Sequence, residues 1–301
     1  MARDPIGGSR LMLLYTTTGY EAREFVQTAR RLGVEMLLGS DRCDVLDDPW
    51  EDDALALRFQ RPDEAAGRIV DQVSRQPVDA ILPVGDTPLV SAAQASRRLG
   101  MVHNAPDAVL ASRNKHLMRL RLQSSGARVP SFRCFPMRAD PHLIKHEVPY
   151  PCVVKPLALS ASQGVIRANG PDEFAAAFMR VRTLLERPEN QRQGDETDRG
   201  ILVEQYIPGV EVALEGLITS GRLQTLALFD KPDPLNGPYF EETIYVTPSR
   251  LDTELQATIT HCAEQAALAL GLCHGPVHAE FRVNEYGPWL LELAARPIGG
   301  L

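Results

Sequence analysis

Three short apolar runs in the first hundred residues, LMLLY (11–15), VEMLL (34–38) and VDAILPV (78–84), are separated by stretches of helical periodicity at 21–32 and 62–75. This alternation limits the fold more than any other feature. Strands joined through helices run parallel, and a parallel sheet needs both of its faces covered. Residues 1–105 therefore read as a small doubly wound α/β domain. After the third run, GDTP (85–88) offers Asp86 as a helix cap and Pro88 just inside a helix that reaches about Leu99. The loops Tyr15 to Tyr20 and Gly85 to Thr87 fall at the carboxyl edge of that sheet, where such folds bind ligands. No G-x-G-x-x-G opens a helix and no G-x-x-x-x-G-K-[ST] occurs, so a dinucleotide fingerprint and a P-loop are both missing.

The rest of the chain changes character, from α/β to α+β. Residues 106–125 are helical and basic, with Gly126 and Pro130 ending the run, and form a linker over 106–128. Short strands follow at 131–135, 151–155 and 164–168, then a helix at 172–186 and a polar surface loop at 187–200. Strands at 201–206, 210–218 and 222–229 are joined by IPG and TSG, turns short enough for antiparallel hairpins. A helix at 252–270 precedes two last strands, and the segmentation implied is 129–200 for a smaller subdomain and 201–301 for a larger one.

Composition restricts the partners. A net charge of −7 with acids and bases interspersed disfavours nucleic acid. The five cysteines are odd in number and never in a Cys-x-x-Cys pair, against a disulfide frame or structural zinc. No run reaches the roughly 18 apolar residues of a membrane span, and the first ten residues lack a signal-peptide core. A cytoplasmic protein is expected.

The last two strands are the most specific part. VHAEFRV (277–283) and WLLELA (289–294) flank the loop NEYGP. Setting Val283 opposite Trp289 puts Phe281 opposite Leu291 and Glu280 opposite Glu292. Leu291 and Leu293 then point into the core, while His278, Glu280, Arg282 and Glu292 share the other side. Directly opposed residues have Cβ atoms roughly 4.5–5.5 Å apart, so two carboxylates there repel unless a cation intervenes. Two oxygen donors suit Mg²⁺, with Mn²⁺ as an alternative ion. The other reading pairs one Glu with Arg282 or Arg296 and leaves the second solvated.

Lys155 ends the run YPCVVKP, and the following LALSASQGV (157–165) is rich in small and hydroxyl residues whose backbone N–H groups can approach phosphates. Glu204 lies in an apolar strand before Tyr206 and IPG, and Glu211 follows that turn. Each of these residues also has a plain reading as a solvated strand residue.

NK (114–115), VVKP (153–156), the small-residue loop, VEQYIPGVEV (203–212), HAEFRV (278–283) and LLELAARPIGG (290–300) occur in one order. That series resembles the ATP-grasp superfamily over nearly the whole chain, with the first 105 residues similar to its Rossmann-like pre-ATP-grasp domain. The resemblance implies the following roles. Lys115 and Lys155 bind phosphates, and Ser160, Ser162 and Gly164 belong to the loop closing over them. Glu204 is the hinge acid near adenine, Tyr206 and Ile207 give backbone contacts and walls, Glu211 is the ribose acid, and Leu291 is a further nucleotide contact. Glu280 and Glu292 bind the metal. It implies ATP and Mg²⁺ as cofactors and a reaction through an acyl phosphate.

One departure is Ala294, where the family often has an Asn that is a further metal ligand. The ELAARPIGG variant resembles the branch of L-amino-acid ligases and carnosine-synthase-like enzymes, in which Arg296 would hold the reacting carboxylate or acyl phosphate. In the loop 229–243, Lys231, Glu241 and Glu242 are candidates to face an amino-acid substrate, or are solvated. His278 is a candidate for proton transfer, or a hydrogen-bonded structural residue. The expected partners are a small-molecule carboxylate and amine, and a homodimer is compatible. The rivals are a biotin-carboxylase-like or purine-pathway ligase, and a nucleotide-binding protein without turnover. Because family members usually continue past the two glycines, this chain is expected to hold more of the nucleotide site than of the acceptor site.

Overall fold

The computed structural model describes residues 8–19, 22–42, 54–191, 200–241 and 244–299. The chain divides into two compact units, Met1–Val109 with Arg296–Leu301, and Leu110–Ala295.

The first unit contains β1 (Arg10–Tyr15), α1 (Ala22–Arg31), β2 (Glu35–Ser40), β3 (Leu55–Ala56), α2 (Pro62–Arg75), β4 (Ala80–Pro83) and α3 (Leu89–Arg98). Its sheet has the order β3-β2-β1-β4, parallel throughout. The parallel pairing follows from the strand–helix alternation, whereas the two-residue β3 is too short to carry any periodicity. Met12 and Leu14 of β1 pack with Ile69 and Val73 of α2 and with Ala92 and Ala95 of α3. Asp86 is not the cap of α3: Pro88 occupies that position without a side-chain bond.

The next helical stretch is broken. α4 (Pro106–Arg113) ends one residue before Asn114, whose extended backbone starts α5 (Lys115–Ser124). The Asn114 carboxamide oxygen accepts from the N–H groups of His116 and Leu117, both at 3.1 Å, which satisfies two donors that the new helix leaves open. The division into units falls within α4.

The second unit continues with β5 (Phe132–Pro136), α6 (Pro141–Ile144), β6 (Cys152–Pro156), β7 (Ile166–Ala168), α7 (Pro171–Leu185), α8 (Pro188–Gln191), β8 (Gly200–Gln205), β9 (Val210–Thr219), β10 (Arg222–Lys231), α9 (Thr253–Leu270), β11 (Gly275–Asn284) and β12 (Gly287–Ala294). They form two four-stranded antiparallel sheets, β5-β8-β6-β7 and β10-β9-β11-β12. Phe174, Phe178 and Val181 of α7 cover the first sheet by packing on Val154, Ile166 and Val203.

Two expectations are corrected here. IPG does not close a hairpin, because β8 pairs with β5 and β6 while β9 pairs with β10 and β11. Residues 206–209 cross from one sheet to the other. Tyr206 N–H donates to the Pro151 carbonyl at 3.0 Å on one side, and Asn284 Nδ2 donates to the Pro208 carbonyl at 3.0 Å on the other. The strand expected to begin the larger subdomain thus lies inside the β5-β8-β6-β7 sheet. Its residues from Gly200 to Glu204 are all buried, as a central strand requires.

The second correction concerns the last hairpin. Glu280 faces Glu292 and His278 faces Ala294, but Phe281 faces Leu290, Arg282 faces Trp289 and Asn284 faces Gly287. The register shifts by one between Glu280 and Phe281, so Leu291 is the extra residue of a bulge. Leu290 and Leu293 are therefore the buried leucines, at 6% and 0% exposure. Leu291 is only half-buried.

Candidate active site

β9, β10 and β11 meet on one charged face. The β9–β11 register puts Glu211 opposite Arg282, Ala213 opposite Glu280 and Glu215 opposite His278, so side chains two apart on each strand share a side. The methyl of Ala213 leaves room beside Glu280. β10 runs two residues beyond its expected end and carries Lys231 to a place opposite Glu211.

Lys231 is consequently no solvated loop residue. It is 4% exposed, and its Nζ lies 2.9 Å from Glu211 Oε1 and 3.1 Å from Glu280 Oε1. Glu280 also meets His278 Nε2 at 3.1 Å, and His278 Nδ1 meets Glu215 Oε1 at 2.5 Å. Burial opposes the charge of His278, but its bonds to Glu215 and Glu280 outweigh that and push its pKa up to about 9. Burial likewise opposes the charge of Glu280. The Lys231 ammonium and the His278 bond outweigh it and hold the carboxyl well below the usual carboxylate range. Glu211 goes the other way: burial pushes it up, since it shares Lys231 with Glu280 and gains less from Arg282.

Across the hairpin, Glu292 Oε2 is 3.1 Å from Lys115 Nζ, and that ammonium also donates to the Leu159 carbonyl at 2.9 Å. Lys115 stands at the first position of α5, so the Asn114 cap aims it. Its ammonium ties the base of the small-residue loop to the last strand. In that loop Ala161 and Ser162 both have φ 53° and Gly164 has φ 73°. The positive φ of Gly164 is what favours glycine there, and a Cβ would also crowd the Leu184 Cδ2 methyl at 2.8 Å. Ser162, Gly164 and Glu241 line an open cleft of about 920 Å³ with Arg180 of α7 and Arg187, which lies just beyond that helix.

A third cluster joins β8, β6 and α5. Glu204, 3% exposed, accepts from Arg119 Nε at 2.6 Å and Nη2 at 3.4 Å, and pairs with Lys155 Nζ. Arg119 is fully buried and also donates from Nη2 to the Leu291 carbonyl at 2.7 Å. Burial opposes the charge of Glu204, yet Arg119 and Lys155 together hold its pKa down. Burial lowers the pKa of Lys155: Glu204 offsets this only in part, because Arg119 claims the same carboxylate.

The sequence-expected residues are distributed as follows. Lys115, Lys155, Glu204, Tyr206, Ile207, Glu211, Lys231, His278, Glu280 and Glu292 belong to the second unit, most of them in charged or hydrogen-bonded networks. The two carboxylates are answered by lysines and a histidine, and among the described residues no ion pair joins either of them to Arg282. Arg282 binds Glu211 instead, at 3.2 Å. The Tyr206 side chain is engaged by Arg282 and Asn236. Arg296 belongs to the first unit, where its Nε donates to Asp86 Oδ1 at 2.8 Å. Glu242 lies outside the described residues. Sequence reasoning missed Arg119 and Glu215 as members of these networks, and it set Arg282 against Glu280 or Glu292 rather than Glu211. The usable signals were the four-residue spacing of Lys115 and Arg119 on one helix face, and the two-residue spacing of Glu211, Ala213 and Glu215 on one strand face.

Glu280 and Glu292 offer hard oxygen donors from adjacent strands, a donor set that fits Mg²⁺ better than a soft metal. Ala294 offers no further oxygen. No group of three or more His, Cys, Asp or Glu arranged to hold a metal occurs among the described residues, so waters and phosphate oxygens would complete the shell.

A model of the ATP-grasp domain matches residues 148–301. The chain is 25% identical over 250 residues to the alanine–anticapsin ligase of Bacillus subtilis, covering 79% of this chain and 52% of that protein. It is 26% identical over 252 residues to carnosine synthase 1 of Homo sapiens, covering 80% and 30%. The crystal structure of an L-amino acid ligase from Bacillus licheniformis superposes with a TM-score of 0.80 at 27% identity, over 96% of this chain and 68% of that one. This chain spans about half or less of the length of these two curated relatives. The sheets, the opposed carboxylates and these matches agree: the chain belongs to the ATP-grasp family.

Proposed function

We propose that this chain carries the nucleotide and metal site of an ATP-dependent carboxylate–amine ligase acting on amino-acid-type substrates. The observation that carries the proposal is the placement of Glu280 opposite Glu292, each matched by a lysine ammonium. The relatives named above, an alanine–anticapsin ligase, a carnosine synthase and an L-amino acid ligase, support the substrate class.

In this reading a carboxylate oxygen attacks the γ-phosphorus of ATP, the bond to the bridging oxygen breaks, and ADP leaves. The amine nitrogen then attacks the acyl carbon, phosphate departs with the C–O electrons, and one proton is released. Glu280 and Glu292 would hold Mg²⁺, which when bound supplies positive charge to the phosphate oxygens. Lys115 and Lys155 would add fixed ammonium groups that offset phosphate charge. Ile207 and the backbone beside it contact the base, with Glu211 on the ribose side.

The test is phosphate release from ATP in the presence of paired amino acids. Wild type is expected to turn over only with Mg²⁺ (Mn²⁺ as a substitute), and Glu280→Gln or Glu292→Gln to lose at least about 100-fold in rate, since each removes a metal ligand. Magnesium-dependent nucleotide binding with no phosphate release for any carboxylate, amine or bicarbonate supplied would overturn the ligase reading in favour of a binding protein.

A further inference from the structure

Arg282, given no nucleotide, metal or substrate role above, makes four hydrogen bonds at the crossing between the two sheets. It is 3% exposed. Its Nε donates to Glu211, its Nη1 to the Tyr206 hydroxyl at 2.8 Å and to the Ile207 carbonyl at 3.1 Å, and its Nη2 to the Leu235 carbonyl. Four acceptors from two separate stretches of chain, 206–211 and Leu235, meet one planar fork. Only guanidinium has donors in that fixed arrangement.

Tyr206 extends the connection. Its ring carries the Arg167 guanidinium 4.0 Å from the centroid and that of Arg282 at 5.1 Å. Its hydroxyl accepts from Arg282 and donates to Asn236 Oδ1 at 3.2 Å. Arg167 in turn donates from Nη1 to the Asn236 carbonyl at 2.7 Å, and its backbone N–H to the Pro238 carbonyl at 2.8 Å. Ile166 of β7 forms an isolated antiparallel bridge with Tyr239. Gly237 has φ 87°, and a Cβ there would meet Arg167 Cβ at 2.8 Å, so the approach needs glycine. Residues 235–239 therefore form a strap bonded to the 206–211 crossing at one end and to β7 at the other.

We propose that Arg282 is a positioning residue: it fixes the hinge backbone that reads the nucleotide base, and through Tyr206 it locks that hinge to the 235–239 strap. The inference rests on the ATP-binding role given to Tyr206, Ile207 and Glu211 under the proposed function. It adds that the Tyr206 side chain is a keystone between two arginines and does not wall the base. It also adds that base recognition depends on a residue that does not touch the nucleotide. Lysine at 282 keeps the charge facing Glu211 but cannot hold the Ile207 and Leu235 carbonyls together with the Tyr206 hydroxyl.

Arg282→Lys should weaken ATP binding by calorimetry about tenfold, the loss of roughly one charge-assisted hydrogen bond's worth of hinge order. It should lower the preference for ATP over GTP by a similar factor while kcat at saturating ATP changes little. A general loss of structure would lower kcat and leave the purine preference alone, so the preference is the deciding reading. A folded Arg282→Lys protein with ATP affinity and purine preference both unchanged overturns the inference. If that variant does not fold, Tyr206→Phe and Asn236→Ala serve. Their effects on ATP affinity should be markedly less than additive when combined, and simple additivity overturns the inference. Wild type that binds no ATP sinks the proposed function itself, a result distinct from ATP binding with insensitive variants.

Discussion

Glu204→Gln removes the one negative charge from between two buried cations while nearly conserving volume. In the folded chain both oxygens of Glu204 are in use, toward Arg119 at 2.6 and 3.4 Å and toward Lys155. Arg119 is fully buried and Lys155 is 6% exposed, so neither can turn to water when its partner is lost. Breaking one side of a buried ion pair costs about 3–5 kcal/mol. The amide oxygen of Gln still accepts one hydrogen bond, worth about 1 kcal/mol, so a net loss of about 2–4 kcal/mol is expected. For a unit of this size each kcal/mol moves the melting temperature by about 2–4 °C, so the melt should fall by roughly 4–16 °C. Calorimetry and urea titration at pH 7 read this directly, with the midpoint lowered and the denaturant slope unchanged.

The pH dependence follows from the two shifts. The carboxyl of Glu204 is held below its ordinary value of 4.5, so its contribution is present above that value and fades as pH falls through the folded value. Lys155 is shifted below 10.5, so between its folded value and 10.5 the unfolded chain binds the extra proton and stability rises with pH. Without Glu204 the shift of Lys155 deepens and that rise begins at lower pH. The deficit of the variant should therefore be largest near neutrality and shrink toward pH 10 as Lys155 sheds its charge. A variant melting within about 2 °C of wild type at pH 7 would refute the reasoning, and so would a deficit that grows in alkali.

Two further outcomes are expected from the same networks. His278 has its pKa raised to about 9, so its contribution is complete below 6.5 and is lost as pH rises through about 9. In metal-free protein with a chelator present, the melting gap between wild type and His278→Gln should be widest near pH 6 and close by pH 10, and a constant gap would count against it. Gly209→Ala should destabilise by at least about 2 kcal/mol. Its φ is 134°, and a Cβ would overlap the Val283 carbonyl, a backbone atom with no room to yield. Chemical denaturation measures this, and a loss below about 0.5 kcal/mol would show that the crossing relaxes freely.

What could be read from the sequence depended on whether two signals coincided. At Glu280 and Glu292 the apolar alternation and the pairing of like charges select one register, and the structure has it. Toward the turn only alternation remained, and in WLLELA the adjacent Leu290 and Leu291 satisfy either phase. The parallel sheet was legible because three apolar runs and their helices agree, whereas the crossing at IPG was not, because a three-residue turn looks the same whether its strands pair or part. The uninterrupted apolar run ILV was the available warning, since a strand apolar on both faces belongs inside a sheet.

The ion networks escaped for a different reason. A basic residue on a helix is ordinarily solvated, and Arg119 finds its acid 85 positions away in the chain. The misjudged register and the overlooked arginine turn out to be one feature. Leu291 is the bulged residue without a register partner, and its carbonyl accepts from Arg119, which also holds Glu204. A hairpin with strict alternation would give Leu291 a partner across the ladder and turn its carbonyl accordingly. The bulge therefore links the strand bearing Glu292 to the strand bearing Glu204 through a single guanidinium. Loss of Glu204 should then loosen the hairpin as well as the hinge, and hydrogen exchange at 290–293 in Glu204→Gln should quicken together with exchange at 203–206. Protection retained at 290–293 would separate the two.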